Sequence, residues 1–98
     1  MNQYPMILTD EQILLLEEMA AALMPAHEIA ILFNLNVEDR KFFEEIIKTH
    51  TSSPIYMAFH KGRLNTKYEL RKMVIKLAKH GSPAAEPIAE KYIREQLI

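Results

Sequence analysis

The chain has 98 residues, 49% of them hydrophobic and 26% charged, which fits one small globular domain with a modest core. Cysteine is absent, which excludes disulfides, thiolate zinc sites and cysteine nucleophiles. The net charge of −1 hides a polarised layout: residues 1–47 hold nine acids and two bases, a balance of −7, and residues 61–79 hold seven bases and one acid, a balance of +6.

Six helices are expected in chain order. Thr9 and Gln12 have the spacing of a capping box at the start of the first. Ile13, Leu16, Ala20 and Leu23 then recur at helical spacing, while Leu14, Leu15, Ala21 and Met24 widen the apolar stripe beyond one face. A helix that apolar is either central or shared with a neighbouring chain. Pro25 is placed to open a second helix, which carries Ile29, Ala30 and Phe33 and stops near Asn34, a residue that tolerates the left-handed conformation. Asn36 caps a third helix, with Asp39 three residues on and an apolar face of Phe42 or Phe43, Ile46 and Ile47.

"THTSS" is a polar break. Ser53 and Pro54 restart the chain, and "PIYMAFHK" reads as a short fourth helix stopped by Gly62. After a link, "LNT", with Asn65 or Thr66 as cap, "KYELRKMVIKLAKH" forms a fifth helix stopped by Gly81. Its apolar face is Leu70, Met73, Val74, Leu77 and Ala78, with Lys72, Lys76 and Lys79 opposite. Ser82 and Pro83 begin a sixth helix that buries Ile88, Ala89, Tyr92 and Ile93. Pro87 lacks a donor, so this helix is expected to start late or bend. The pattern predicts an all-α fold: a compact bundle of about six short helices in a single domain, residues 1–98. Its first part is residues 9–48 and its second, with the basic helix, residues 53–97.

No run approaches the roughly 18 apolar residues of a membrane span. "MNQYPMILTDEQ" lacks the basic-then-apolar pattern of a signal peptide, so a cytoplasmic location is expected. The search for catalytic groups is nearly empty. His27, His50, His60 and His80 are far apart in sequence and fit no ligand spacing. Two glycines do not make a phosphate loop. The acid pairs Glu17–Glu18 and Glu44–Glu45 fall on helices expected to face solvent. No enzyme, cofactor or metal is expected.

"HEIAILFNLNVEDRKFFEEI" carries the steric requirements of a helix-turn-helix. Ala30 is small where two helices cross, Asn34 accepts the turn, and Leu35 plugs the core behind it. Arg40 stands where an inward apolar residue is usual, so the turn is expected to be longer than standard. Val37, Glu38 and Asp39 at the head of the would-be recognition helix suit neither phosphates nor guanine edges. The cations of residues 61–79 are the better candidates for contacting nucleic acid, though lysines opposite an apolar stripe also serve solubility alone.

The run from Ser53 onward, with Ala58, Lys61, Gly62, Thr66, Glu69, Leu70, Arg71, Val74, Lys76, Leu77, Ala78, Gly81, Ser82, Pro83 and Ala84, is similar to the C-terminal half of phage and prophage proteins of the terminase small-subunit type. Together with "EIAILF" the likeness covers residues 9–95. It implies a non-enzymatic, DNA-binding component of a phage packaging machine in the cytoplasm of a bacterial host. Its expected partners are duplex DNA, further copies of itself and a large terminase ATPase–nuclease, with no membrane. Phosphate contacts are expected from Lys61, Arg63, Lys67, Arg71, Lys72, Lys76 and Lys79, helped by Arg40 and Lys41. The acidic head of the third helix and Pro87 depart from the family pattern, and no separate oligomerisation domain is evident. Two other readings fit the residues: a virion adaptor whose basic face meets an acidic partner, and a small transcriptional regulator that dimerises.

Overall fold

A computed structural model describes residues 6–96, which are helical with no strand among them. Among the described residues five helices form: α1 (Asp10–Ala21), α2 (Ala26–Leu32), α3 (Val37–Thr49), α4 (Pro54–Lys79) and α5 (Glu86–Glu95). The chain divides into two compact units, Met1–Thr66 and Lys67–Ile98, so the boundary falls inside α4 rather than at the polar break "THTSS".

Local chemistry sets the helix ends. At α1 the Thr9 N–H donates to Gln12 Oε1 at 2.8 Å and the Gln12 N–H donates to Thr9 Oγ1 at 3.1 Å, the expected reciprocal box. The Asp39 N–H donates to Asn36 Oδ1 at 2.8 Å to start α3. Pro25 precedes α2 at its cap position instead of opening it. Pro87 lies in the first turn of α5, which starts at Glu86; residues 83–85 are a turn, so the proline removes no helical bond.

Three helices end in the same way. The residue after the cap turns left-handed, and its N–H and the next donate back to the two carbonyls left open. At α2 this residue is Asn34 (φ 59°), with Asn34 N–H bonded to Ile31 O and Leu35 N–H to Ala30 O. At α4 it is Gly81 (φ 85°), with bonds to Ala78 O and, from Ser82, to Leu77 O. At α1 it is Leu23 (φ 64°), with bonds to Ala20 O and, from Met24, to Met19 O. A leucine there bears a Cβ clash that glycine avoids and that asparagine, with its short polar side chain able to hydrogen-bond locally, tolerates better.

The first unit has one apolar core. Leu16, Ala20, Ile29, Ala30, Phe43, Ile46, Ile47, Ile55, Ala58 and Phe59 are buried together, drawn from all four helices that enter the unit. Phe43 is the inward aromatic of α3 and meets Phe33 edge to face at 6.2 Å, while Phe42 is half-buried. α2 packs on α3 and on α1.

The expected fourth and fifth helices run together as α4, 26 residues long. Gly62 does not stop a helix: it is buried within one, at the crossing with α1. A Cβ at this position would collide with the Glu17 carbonyl oxygen and lie 2.9 Å from Ala20 Cβ and 3.0 Å from Ala21 N. The glycine thus serves close approach of two helices and not a left-handed turn. Thr66, expected to cap a new helix, instead donates its hydroxyl to the Ala21 carbonyl at 2.5 Å. His60 Nε2 donates to the Ile47 carbonyl at 2.9 Å. Both acceptors lie in the last turns of helices, where carbonyls lack partners along the chain. The front half of α4 therefore supplies core residues and also satisfies backbone at the ends of α1 and α3.

The second unit is the rest of α4 and α5, joined by residues 80–85. Of its described side chains only Ala85 and Ala89 are buried. Val74 and Ala78 of the expected apolar face are half-buried, but Leu70, Met73 and Leu77 are exposed. On α5, Tyr92 is half-buried while Ile88 and Ile93 are exposed.

Candidate nucleic-acid interface

The nine cations expected to contact phosphate have different surroundings. Arg71 is turned inward. Its guanidinium lies 4.2 Å from the Tyr92 ring centre, and its Nη2 donates to Glu95 Oε1 at 3.0 Å. With this ion pair and the ring contact, Arg71 fastens α4 to α5. Arg63 is half-buried, with its guanidinium 5.2 Å from the Phe59 ring centre.

The lysines of the second unit face out. Lys72 Nζ lies 4.7 Å from the Tyr68 ring centre and 3.4 Å from Glu69 Oε1, an exposed pair one turn apart that costs little to part. Lys76 and Lys79 are exposed in the last turn of α4, and no ion pair engages them among the described residues. The helix C-terminus itself favours cations there. Lys72, Lys76 and Lys79 share one open surface with Tyr68, Met73 and Leu77. Lys67 is exposed as well, while Lys61, also exposed, belongs to the first unit.

Arg40 is half-buried and Lys41 exposed, both on α3 of the first unit. The turn from α2 to α3 runs over residues 33–36. Ala30 is fully buried and Leu35 packs against the core, as the spacing predicts. Glu38 is exposed at the head of α3, where a carboxylate suits the helix dipole and repels phosphate.

Sequence reasoning alone misses Tyr68. Its place four residues before Lys72 is a usable signal, because residues at that spacing share a helix face. The histidines have local partners: His80 Nδ1 donates to the Lys76 carbonyl at 2.7 Å, His60 also stacks beside Tyr56 at 4.2 Å, and His50 meets Phe42 edge to face at 6.0 Å. Among the described residues no three carboxylates or histidines group as metal ligands, and no helix is long and apolar enough to cross a membrane. No family model, curated protein or solved structure matches the chain.

Proposed function

We propose that the protein is a non-enzymatic, DNA-binding component of a phage packaging machine, of the kind the terminase small-subunit resemblance implies. The observation that carries the DNA contact is the exposed lysine face of α4: Lys72, Lys76 and Lys79 side by side, with Glu69 the only acid among residues 61–79. Such a face neutralises phosphates without reading bases, so binding to duplex DNA is weak, sequence-tolerant and strongly salt-dependent.

In this reading α2 and α3 form a helix-turn-helix that serves as a folding unit. The buried Ala30, left-handed Asn34 and half-buried Leu35 support that assignment, and the acidic head of α3 argues against base readout by it. Arg71 drops out of the DNA contact, since its guanidinium is already engaged by Tyr92 and Glu95.

The test is a titration of short duplex DNA across a salt series. Changing Lys72, Lys76 and Lys79 together to alanine reduces affinity and lowers the logarithmic salt slope by about 2 to 3, near 0.9 for each phosphate no longer neutralised. An unchanged slope places the contact elsewhere, and no binding even at low salt ends the DNA reading. An adjacent gene for a large ATPase–nuclease would support the packaging role.

A further inference from the structure

Beside its lysines, α4 carries something a DNA contact does not use. Leu70, Met73 and Leu77 are 51%, 60% and 48% exposed and follow one another at i, i+3 and i+7, one stripe of a helix. Met73 and Leu77 lie on the same open surface as Lys72 and Lys76. A phosphate backbone gives no apolar cover to such a stripe. A short amphipathic helix with acids beside its leucines would cover it and pair with the lysines.

The chain itself contains that helix. On α1, Leu14 and Leu15 are 64% and 45% exposed, and the core beneath is built without them by Leu16 and Ala20. Glu11, Leu14, Leu15 and Glu18 are all exposed and spaced i, i+3, i+4 and i+7. No lysine or arginine occurs before Arg40, so nothing on α1 opposes a basic surface. The stripes from Glu11 to Glu18 and from Leu70 to Leu77 each cover eight residues, seven helical steps or about 10 Å from end to end.

We propose that α1 of one copy docks on the outer face of α4 of a second copy. Leu14 and Leu15 cover Leu70, Met73 and Leu77, and Glu11 and Glu18 meet Lys72 and Lys76. The two surfaces differ, so each bound copy still offers one of each, and association continues past a dimer. DNA draws on the same lysines, so DNA and a docked copy weaken each other's binding by the same factor.

The experiment is sedimentation velocity of the full chain without DNA, over a micromolar dilution series, so its outcome does not depend on the DNA reading. The parent sediments as concentration-dependent complexes. Glu11→Lys with Glu18→Lys, or Lys72→Glu with Lys76→Glu, weakens association by about tenfold or more, since each sets like charges against each other. An equimolar mixture of the two variants recovers the complexes, because every contact then joins opposite charges again. A parent that stays monomeric throughout overturns the proposal. So does a mixture of folded variants that stays dissociated, or association that ignores both reversals.

Discussion

The two units are both built from helices and are held by different means. In the first, ten buried apolar residues from α1, α2, α3 and α4 close a core, and Thr66 and His60 satisfy carbonyls at the ends of α1 and α3. In the second, two buried alanines and the contacts of Arg71 with Tyr92 and Glu95 join two helices. Two helices have one mutual face, so the apolar residues on their other faces stay in water unless something covers them. Burial thus divides the molecule into a part with its own apolar core and a part with almost none, while both leave large apolar side chains exposed. Hydrogen exchange measures this contrast directly: amides of α5 should exchange well before those near Leu16 and Phe43.

The sharpest way to break the contrast is at Gly62. Alanine is the better helix former by about 1 kcal/mol, so Gly62→Ala would stabilise a solvated helix. Against the backbone of α1 it should instead cost about 3 kcal/mol, read as a clear fall in the thermal midpoint. Next is Ala30→Leu, which forces a larger side chain into a fully buried position and should cost about 2 kcal/mol. Ala22→Leu, on exposed surface at the end of α1, should change the midpoint little.

Asn34→Val should cost about 1–2 kcal/mol, because a β-branched residue resists a φ of 59°, whereas Asn34→Gly should melt with the parent or slightly above it. Arg71→Ala tests the second unit. It should cost about 1 kcal/mol, modest because the ion pair is partly exposed, and should speed exchange in α5 while leaving α3 unchanged. Equal effects in both units would show that they unfold together. The smallest effect is a gain: Leu23→Gly should relieve the left-handed strain at the end of α1 and raise stability by about 0.5 kcal/mol, measured by denaturant midpoint.

Much of the helical grammar was legible from short spacings. Thr9 with Gln12, Asn36 with Asp39, Asn34 and Gly81 all act where the sequence places them, because a cap or a left-handed turn depends on residues within four positions. The lysine face was legible too, since spacing along a helix fixes which side chains share a side. Two of the site's features were not. Arg71 looked like one more cation of the basic run until Tyr92 and Glu95, more than twenty positions on, were brought against it. Leu70, Met73 and Leu77 looked like a core stripe, yet periodicity shows only that a face is apolar and not what will lie against it.

By itself the sequence determined that the chain is helical, where most helices begin and end, and that acids and bases segregate along it. These are set by backbone bonds and side-chain spacing within a turn or two. Only the tertiary structure decided whether Gly62 ends a helix or lets two helices touch, and whether Thr66 starts a helix or closes another one. Glycine permits both a left-handed turn and a close approach, and the choice depends on whether a second backbone arrives. That backbone is α1, more than forty residues away in sequence, with its Glu17 carbonyl and Ala20 side chain against Gly62 and its Ala21 carbonyl held by Thr66.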